Sequence, residues 1–380
     1  MSSIQTKKIQ KLLEFWKSSQ PLNERLQRNI DQSFMIDFNY NSNHLEGNTL
    51  TYGQTKMLLL FGRVEGEGLM RDFEEMKAHN VGLEMMKREA LDKIRPLSEI
   101  FIRELNRVIL AGDFYKLSSD REYKYKIHTG VYKTRPNSVI TESGEMFDYA
   151  SPEETPSMMG DLVKWYNACE KKKTLSVIEL ATLFHYRYIR IHPFEDGNGR
   201  IARLLVNYIL LRHGYPMIVI PAADRKNYLD TLNKCDKITG AEPYMGANAK
   251  IEQITAFVDY IANYVEKKLV FAEQIITGKI RKIEETGKKQ QKIPDNVPVN
   301  VPVNVPLSDT EKYILKLISD NTKITYDEIA KEIYMNRKTV QRSIEKLKSS
   351  GLLVRIGADK NGYWEISYIQ SHDKNRGNKI

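Results

Sequence analysis

The chain has 380 residues, 41% hydrophobic and 28% charged, which suits two or three soluble domains with buried cores and rules out a low-complexity or collagen-like chain. Formal net charge is +9, and residues 279–380 alone hold 20 Lys+Arg against 13 Asp+Glu, an excess of 20 − 13 = +7 that suits a polyanionic partner or a solvated basic face. Two cysteines, Cys169 and Cys235, in no ligand spacing, exclude a disulfide framework or zinc site and fit a reducing compartment.

The first residues, MSSIQTKKIQKLLEFW, hold no apolar signal core, and no window approaches 18 apolar residues. The expectation is a cytoplasmic protein with no membrane contact. Ile9, Leu12, Leu13 and Trp16 recur at i, i+3, i+4, i+7 and predict an amphipathic helix. Further helices are expected over 31–41, 50–61, 71–91 and 97–111. The stretch 130–156 breaks this pattern with Gly, Pro, Ser and Thr. Its 131–133 and 139–141 pieces are expected to pair as a short hairpin; a plain long loop is the alternative.

The segment 175–190 reads as a buried helix, and 201–212 as another that ends at His213-Gly214. Helices resume over 224–235 and 251–276. Residues 296–306 read NVPVNVPVNVP, a period-four repeat expected to be an extended, semi-rigid linker. After it come helices over 309–319, 324–334 and 337–349, the last capped by Asn336, then strands over 352–356 and 363–366. Helix, helix, turn, helix and hairpin is the winged helix-turn-helix order. Arg337, Lys338, Gln341 and Arg342 stand at the start of the third helix, where base and phosphate contacts are usual, so DNA is a candidate partner. Many winged helices bind proteins or hold dimers instead.

The string HPFEDGNGRIAR, 192–203, holds the chemistry. Gly197, Asn198 and Gly199 precede a helix. Glycines admit close backbone approach, free N–H groups at a helix start attract anions, and Asn198 adds a side-chain donor. Arg200 and Arg203 lie one turn apart and suit a polyphosphate. Asp196 is a hard carboxylate suited to Mg²⁺ bridging phosphate oxygens. His192 can take a proton from an incoming hydroxyl at neutral pH. Phe194 is expected to anchor the loop. A base, a metal ligand, a phosphate cradle and two clamps describe transfer at a phosphate.

The string resembles the signature of the Fic family, His-x-Phe-x-(Asp/Glu)-Gly-Asn-Gly-Arg-x-x-Arg, with every fixed position filled. The wider resemblance spans roughly residues 35 to 240 and includes the stretch before the motif, which looks like the family's target-docking flap. The resemblance implies a mainly α fold: a helical catalytic domain with a short β-hairpin flap, followed by a small α+β winged-helix domain. The expected division is 1–95 (helical, with an inhibitory helix), 96–240 (catalytic), 241–290 (closing helices), 291–307 (linker) and 308–370 (winged helix).

It further implies His192 as general base, Asp196 as Mg²⁺ ligand, Gly197–Asn198–Gly199 as anion hole, and Arg200 and Arg203 on the β- and γ-phosphates. A target Ser, Thr or Tyr hydroxyl would attack the α-phosphorus of ATP and release pyrophosphate, self-modification included. The glycine in Gly-Asn-Gly-Arg argues against the Doc-like kinase branch. Tyr228 is a candidate for the adenine pocket, with plain core packing as the alternative. SNHLEGN, 42–48, resembles the inhibitory motif (Ser/Thr)-x-x-x-Glu-(Gly/Asn). Ser42 and Glu46 are one helical turn apart, and a carboxylate reaching Arg203 would take the γ-phosphate position. In some relatives that glutamate supports AMP removal. A nucleotide-sensing DNA-binding regulator, a toxin-like modifier and a homodimer also remain open.

Overall fold

The computed structural model describes residues 3–64, 66–117, 123–140, 146–279, 309–333, 336–349, 353–356 and 362–366. They belong to two compact units, Met1–Glu285 and Thr286–Ile380. The linker expected over 296–306 lies outside the described residues.

The first unit is helical. It opens with α1 (Ser3–Ser18), α2 (Glu24–His44), α3 (Tyr52–Phe61), α4 (Met70–Leu91) and α5 (Glu99–Ile109). Helix α2 is longer than expected because Asn23 caps it, accepting a 2.9 Å hydrogen bond from the Leu26 N–H. Two strands, β1 (Phe114–Leu117) and β2 (Lys124–Ile127), then form an antiparallel hairpin that the sequence reading missed.

The flap hairpin exists with a different pairing. Strand β3 (Val139–Ile140) pairs with β4 (Met146–Phe147), not with 131–133. The 131–133 stretch is drawn away by the catalytic loop: the Lys133 N–H donates to the Pro193 carbonyl at 2.9 Å and its ammonium to the Ile191 carbonyl at 3.2 Å. A further helix, α6 (Thr155–Lys172), was also missed; Pro156 is a helix-start residue here rather than the end of a loop.

The centre of the unit is the pair α7 (Val177–Ile191) and α8 (Asn198–Arg212). Helix α7 starts with a capping box, Ser176 and Glu179 each bonding the other's backbone N–H. Helix α8 is buried on nearly every face, from Ile201 and Leu204 to Leu210. A helix enclosed in this way is fixed by contacts all round. Asn207 exchanges two hydrogen bonds with the Ile218 backbone and ties the returning chain to α8. Helices α9 (Arg225–Thr239), α10 (Pro243–Ala247) and α11 (Thr255–Ile276) close the unit, α11 packing against α1, α7 and α9. No helix among the described residues is long and apolar enough to cross a membrane.

The second unit holds α12 (Asp309–Asp320), α13 (Tyr326–Glu332), α14 (Arg337–Ser349) and a hairpin of β5 (Leu353–Ile356) with β6 (Tyr363–Ile366). This is a winged helix-turn-helix. Ile314, Ile318, Ile329, Val340, Ile344 and Trp364 form its core. The Trp364 indole donates to the Ile324 carbonyl at 3.0 Å, pinning the wing to the start of α13. Asn336 caps α14 as expected, accepting from the Thr339 N–H at 2.8 Å. Arg337, Lys338, Gln341 and Arg342 are all exposed on the first turns of α14, with Arg337 paired to Asp327 at 3.0 Å.

Candidate active site

The catalytic loop is the link between α7 and α8. His192 caps α7 in the left-handed region, φ +52°, and donates its N–H to the Tyr188 carbonyl at 2.9 Å. A non-glycine residue there is strained, so neighbours must hold it. They do: Asn137 donates to the His192 and Phe194 carbonyls at 3.1 and 2.9 Å, and Phe194 is buried in the core. Asn198 exchanges two hydrogen bonds with the Phe194 backbone, at 3.0 and 2.7 Å. Its amide therefore braces the loop, spending one of its N–H groups on the Phe194 carbonyl. The backbone N–H groups at the start of α8 have no carbonyl one turn earlier in the helix to bond, and they remain the anion-attracting element.

His192 is half-buried. Burial lowers its pKa to about 4, Lys133 contributes in the same direction, and Glu46 and Asp196 oppose it. The ring is neutral at pH 7 and can accept a proton. Its Nδ1 is buried with no hydrogen-bond partner of normal geometry.

Arg203 is buried. It donates to the Ser42 hydroxyl at 3.1 Å, the Ser42 carbonyl at 2.8 Å and the Glu46 carboxylate at 2.7 Å. Ser42 thus grips Arg203 directly and does not orient Glu46. Helix α2 ends at His44, so Glu46 sits on the turn after the helix, not on it. Gly47 makes that turn at φ +94°. Burial by itself raises the Glu46 pKa; the Arg203 charge and hydrogen bond outweigh it and leave the carboxyl below its usual value. A Cβ on Gly199 would collide with the Glu46 carboxylate. The carboxylate therefore lies in the space that the glycine turn keeps clear.

Arg200 is paired on both sides, to Glu75 of α4 at 3.0 Å and to Asp196 at 3.4 Å. Asp196 accepts from the Gly197 N–H at 2.6 Å through Oδ1, and its Oδ2 faces the Lys116 ammonium of β1 at 3.3 Å. Burial opposes ionisation of Asp196, but Arg200 and Lys116 keep its pKa lowered. Among the described residues no group of three or more metal-ligating side chains exists. Both Asp196 oxygens are engaged, Oδ1 with the Gly197 N–H and Arg200 and Oδ2 with the exposed Lys116, so a Mg²⁺ held at Oδ2 would take the place of that ammonium; Mg²⁺ takes few protein ligands and completes its shell from phosphates and water.

Tyr228 lies in the aromatic core, 4% exposed. Its hydroxyl meets His185 Nε2 at 2.8 Å and its ring packs with Phe257 and Tyr260. Ser42, Glu46, His192, Asp196, Gly199, Arg200 and Arg203 come together; Tyr228 stands behind them. Sequence reasoning missed Asn106, Lys116, Asn137, Tyr149 and Glu75. Asn106 links Asp196 to Gly130, donating to the Asp196 carbonyl at 3.0 Å and accepting from the Gly130 N–H at 2.9 Å.

Comparison with known proteins gives consistent results. Residues 96–210 match the Fic/DOC family, and residues 307–354 match the winged helix-turn-helix DNA-binding family. Protein adenylyltransferase fic-1 of Caenorhabditis elegans is 28% identical over 245 residues, 64% of this chain and 42% of that one. Protein adenylyltransferase Fic of Drosophila melanogaster is 27% identical over 230 residues, 60% and 40% of the two chains. The chain thus spans about 42% of the length of these curated relatives. Among solved structures, a Fic domain containing signaling protein from Bacteroides thetaiotaomicron is 55% identical with TM-score 0.69, covering 74% of this chain and all of that one. Fic-1 of C. elegans follows at 26% identity and TM-score 0.54, covering 73% of this chain and 72% of the other. At 55% identity over the whole of a solved Fic protein, with the motif at 192–203 intact, the chain belongs to the Fic/DOC family.

Proposed function

We propose that the chain is a protein adenylyltransferase that moves AMP from ATP to a Ser, Thr or Tyr hydroxyl and is held off by Glu46. The observation that carries this reading is the pairing of Arg203 with Glu46 beside a neutral, half-buried His192. His192 takes the proton of the incoming hydroxyl. The hydroxyl oxygen bonds to the α-phosphorus, the bond to the bridging oxygen breaks, and pyrophosphate leaves. Arg200 and Arg203 hold the β- and γ-phosphates, and the N–H groups at the start of α8 receive the diphosphate charge. Asp196 would hold Mg²⁺, whose role is to neutralise phosphate charge. The target docks on the flap through backbone pairing, as strand addition does elsewhere. Self-modification is expected, and the domain division set out from the sequence is kept as part of this reading.

The test is incubation with Mg²⁺ and ATP labelled at the α or the γ position. Label retained on protein from α-labelled ATP alone is the expected result. Retention from the γ position indicates a kinase. No retention from either, even in Glu46→Gly, overturns the reading.

A second reading concerns the winged helix, which supports DNA as a partner of the second unit. Arg337, Lys338, Gln341 and Arg342 are exposed together on one helix start. Binding should weaken with salt. Lys338→Ala with Arg342→Ala should reduce the slope of log affinity against log salt by about 1 for each phosphate no longer neutralised. Unchanged salt dependence in that variant, or no retention at low salt, removes DNA as a partner.

A further inference from the structure

Tyr149 sits just beyond the flap strand β4, and its ring stacks on the His192 imidazole with centroids 4.0 Å apart and planes 21° from parallel. Phe147 of β4 meets Tyr149 edge-on at 5.4 Å, and the buried Arg190 guanidinium lies 4.9 Å from the Phe147 ring centroid. Arg190 is anchored in turn. It donates to the carbonyls of Gly240, Ala241 and Glu242 at 3.0, 2.8 and 3.0 Å and to Asp236 at 3.0 Å. A continuous series of contacts therefore runs from the rigid α9–α10 corner through the flap to the imidazole.

His192 needs such support. Its backbone is in the left-handed region, and its Nδ1 is buried with no hydrogen bond of normal geometry, the Ile189 carbonyl being the polar group that bears on the ring. Hydrogen bonding fixes the loop backbone through Asn137 and Lys133, but none of those bonds reaches the ring. The ring plane is set by the aromatic face against it. Aromatic rings prefer a small set of mutual orientations, so the stacked face favours one orientation of the imidazole.

We propose that Tyr149 is a positioning residue for the transfer reaction: its ring, stacked on the His192 imidazole, aligns it and ties that alignment to the flap on which the target docks. This rests on the proposed function, because it assigns Tyr149 a role through His192. A target strand added to the flap would press on Phe147 and Tyr149 and settle the base in its working orientation. Flap occupancy and proton removal would then be linked.

The test uses the full chain with Glu46→Gly, in which His192-dependent labelling from α-labelled ATP is established first. Tyr149→Phe keeps the ring and should label within about twofold of that parent. Tyr149→Leu and Tyr149→Ala should lower kcat about 10- to 100-fold, the cost of a misplaced catalytic group, with KM for ATP unchanged. The pH profile supplies a readout that simple loosening of the fold would not give. The groups bearing on the imidazole are Lys133, Asp196 and, in the unsubstituted chain, Glu46. With these the same throughout the series, opening the ring to water in Tyr149→Ala relieves its burial. The acid limb of kcat should then move up from near pH 4 towards the usual histidine range, while Tyr149→Phe keeps the parent profile. Equal kcat and an unmoved acid limb in Tyr149→Leu and Tyr149→Ala overturn the proposal and leave the transferase reading standing. Absence of His192-dependent labelling in Glu46→Gly itself overturns both.

Discussion

Glu46→Gly should raise incorporation of AMP from α-labelled ATP, self-modification included, by about 10- to 100-fold, the range by which a misplaced reacting group is slowed. The argument is positional. One terminal nitrogen of Arg203 donates both to Glu46 at 2.7 Å and to the Ser42 carbonyl at 2.8 Å, while its Nε donates to the Ser42 hydroxyl. Removing the carboxylate releases one N–H of that nitrogen while both Ser42 bonds keep the arginine in place, and it clears the space above Gly199. The same substitution leaves a buried cation without its anion. The side chain of Glu46 is 36% exposed, so solvent already screens the pair and the stability loss should be about 1 kcal/mol rather than the 3–5 of a fully buried pair. Mg²⁺-ATP should then raise the Tm of Glu46→Gly more than that of the parent, because its phosphates refill the vacated charge. Equal labelling by the two proteins refutes the brake.

His192→Ala, made in the Glu46→Gly chain, should cut labelling by about 10²- to 10⁴-fold, the usual contribution of a general base, with nucleotide affinity nearly unchanged. The imidazole touches none of the clamps, so its loss should appear in kcat and not in KM for ATP. Because burial holds its pKa near 4, the ring is unprotonated through most of the accessible range. Labelling by the intact site should therefore be flat from about pH 5 to 8 and fall as pH drops through 4, where the base becomes protonated. An acid limb at pH 6.5 would mean that the ring is more open to water than the structure shows. Undiminished labelling by His192→Ala would remove the general-base role.

Much of the site was legible because its parts are contiguous. Twelve consecutive residues supply the histidine, the carboxylate, the glycine turn and two arginines, and the helical repeat places Arg200 and Arg203 on one side. Glu46 was legible through a short pattern, although its place just past α2 was not: the helix stops at His44 because Gly47 turns the chain. What could not be read were contacts that depend on packing. Glu75 meets Arg200 across 125 residues, Lys116 meets Asp196 across 80, and Asn106 meets the same loop across 90. No periodicity records such meetings. Asn198 reads as a ligand donor because an amide at a helix start is a good donor, and only the fold shows that it also braces the loop through Phe194. Helix α6 was hidden by composition, since Pro156 ends a Gly/Ser/Thr-rich run and also begins a helix.

With Glu46 as the proposed brake, its placement on a glycine turn, one residue beyond the C-cap of α2, would set the character of the off state, and the consequences for release and affinity rest on that reading. Release needs rotation about a few bonds and no unwinding of a helix, so it belongs to the nanosecond-to-microsecond range of loop motion. The carboxylate then acts as a tethered competitor whose local concentration, of the millimolar order for a short tether, does not change when the protein is diluted. Apparent nucleotide affinity is reduced by the fraction of time the turn is swung in. Any partner that grips residues 45–47 would tune the enzyme continuously, as a dimmer does, with no second global conformation required.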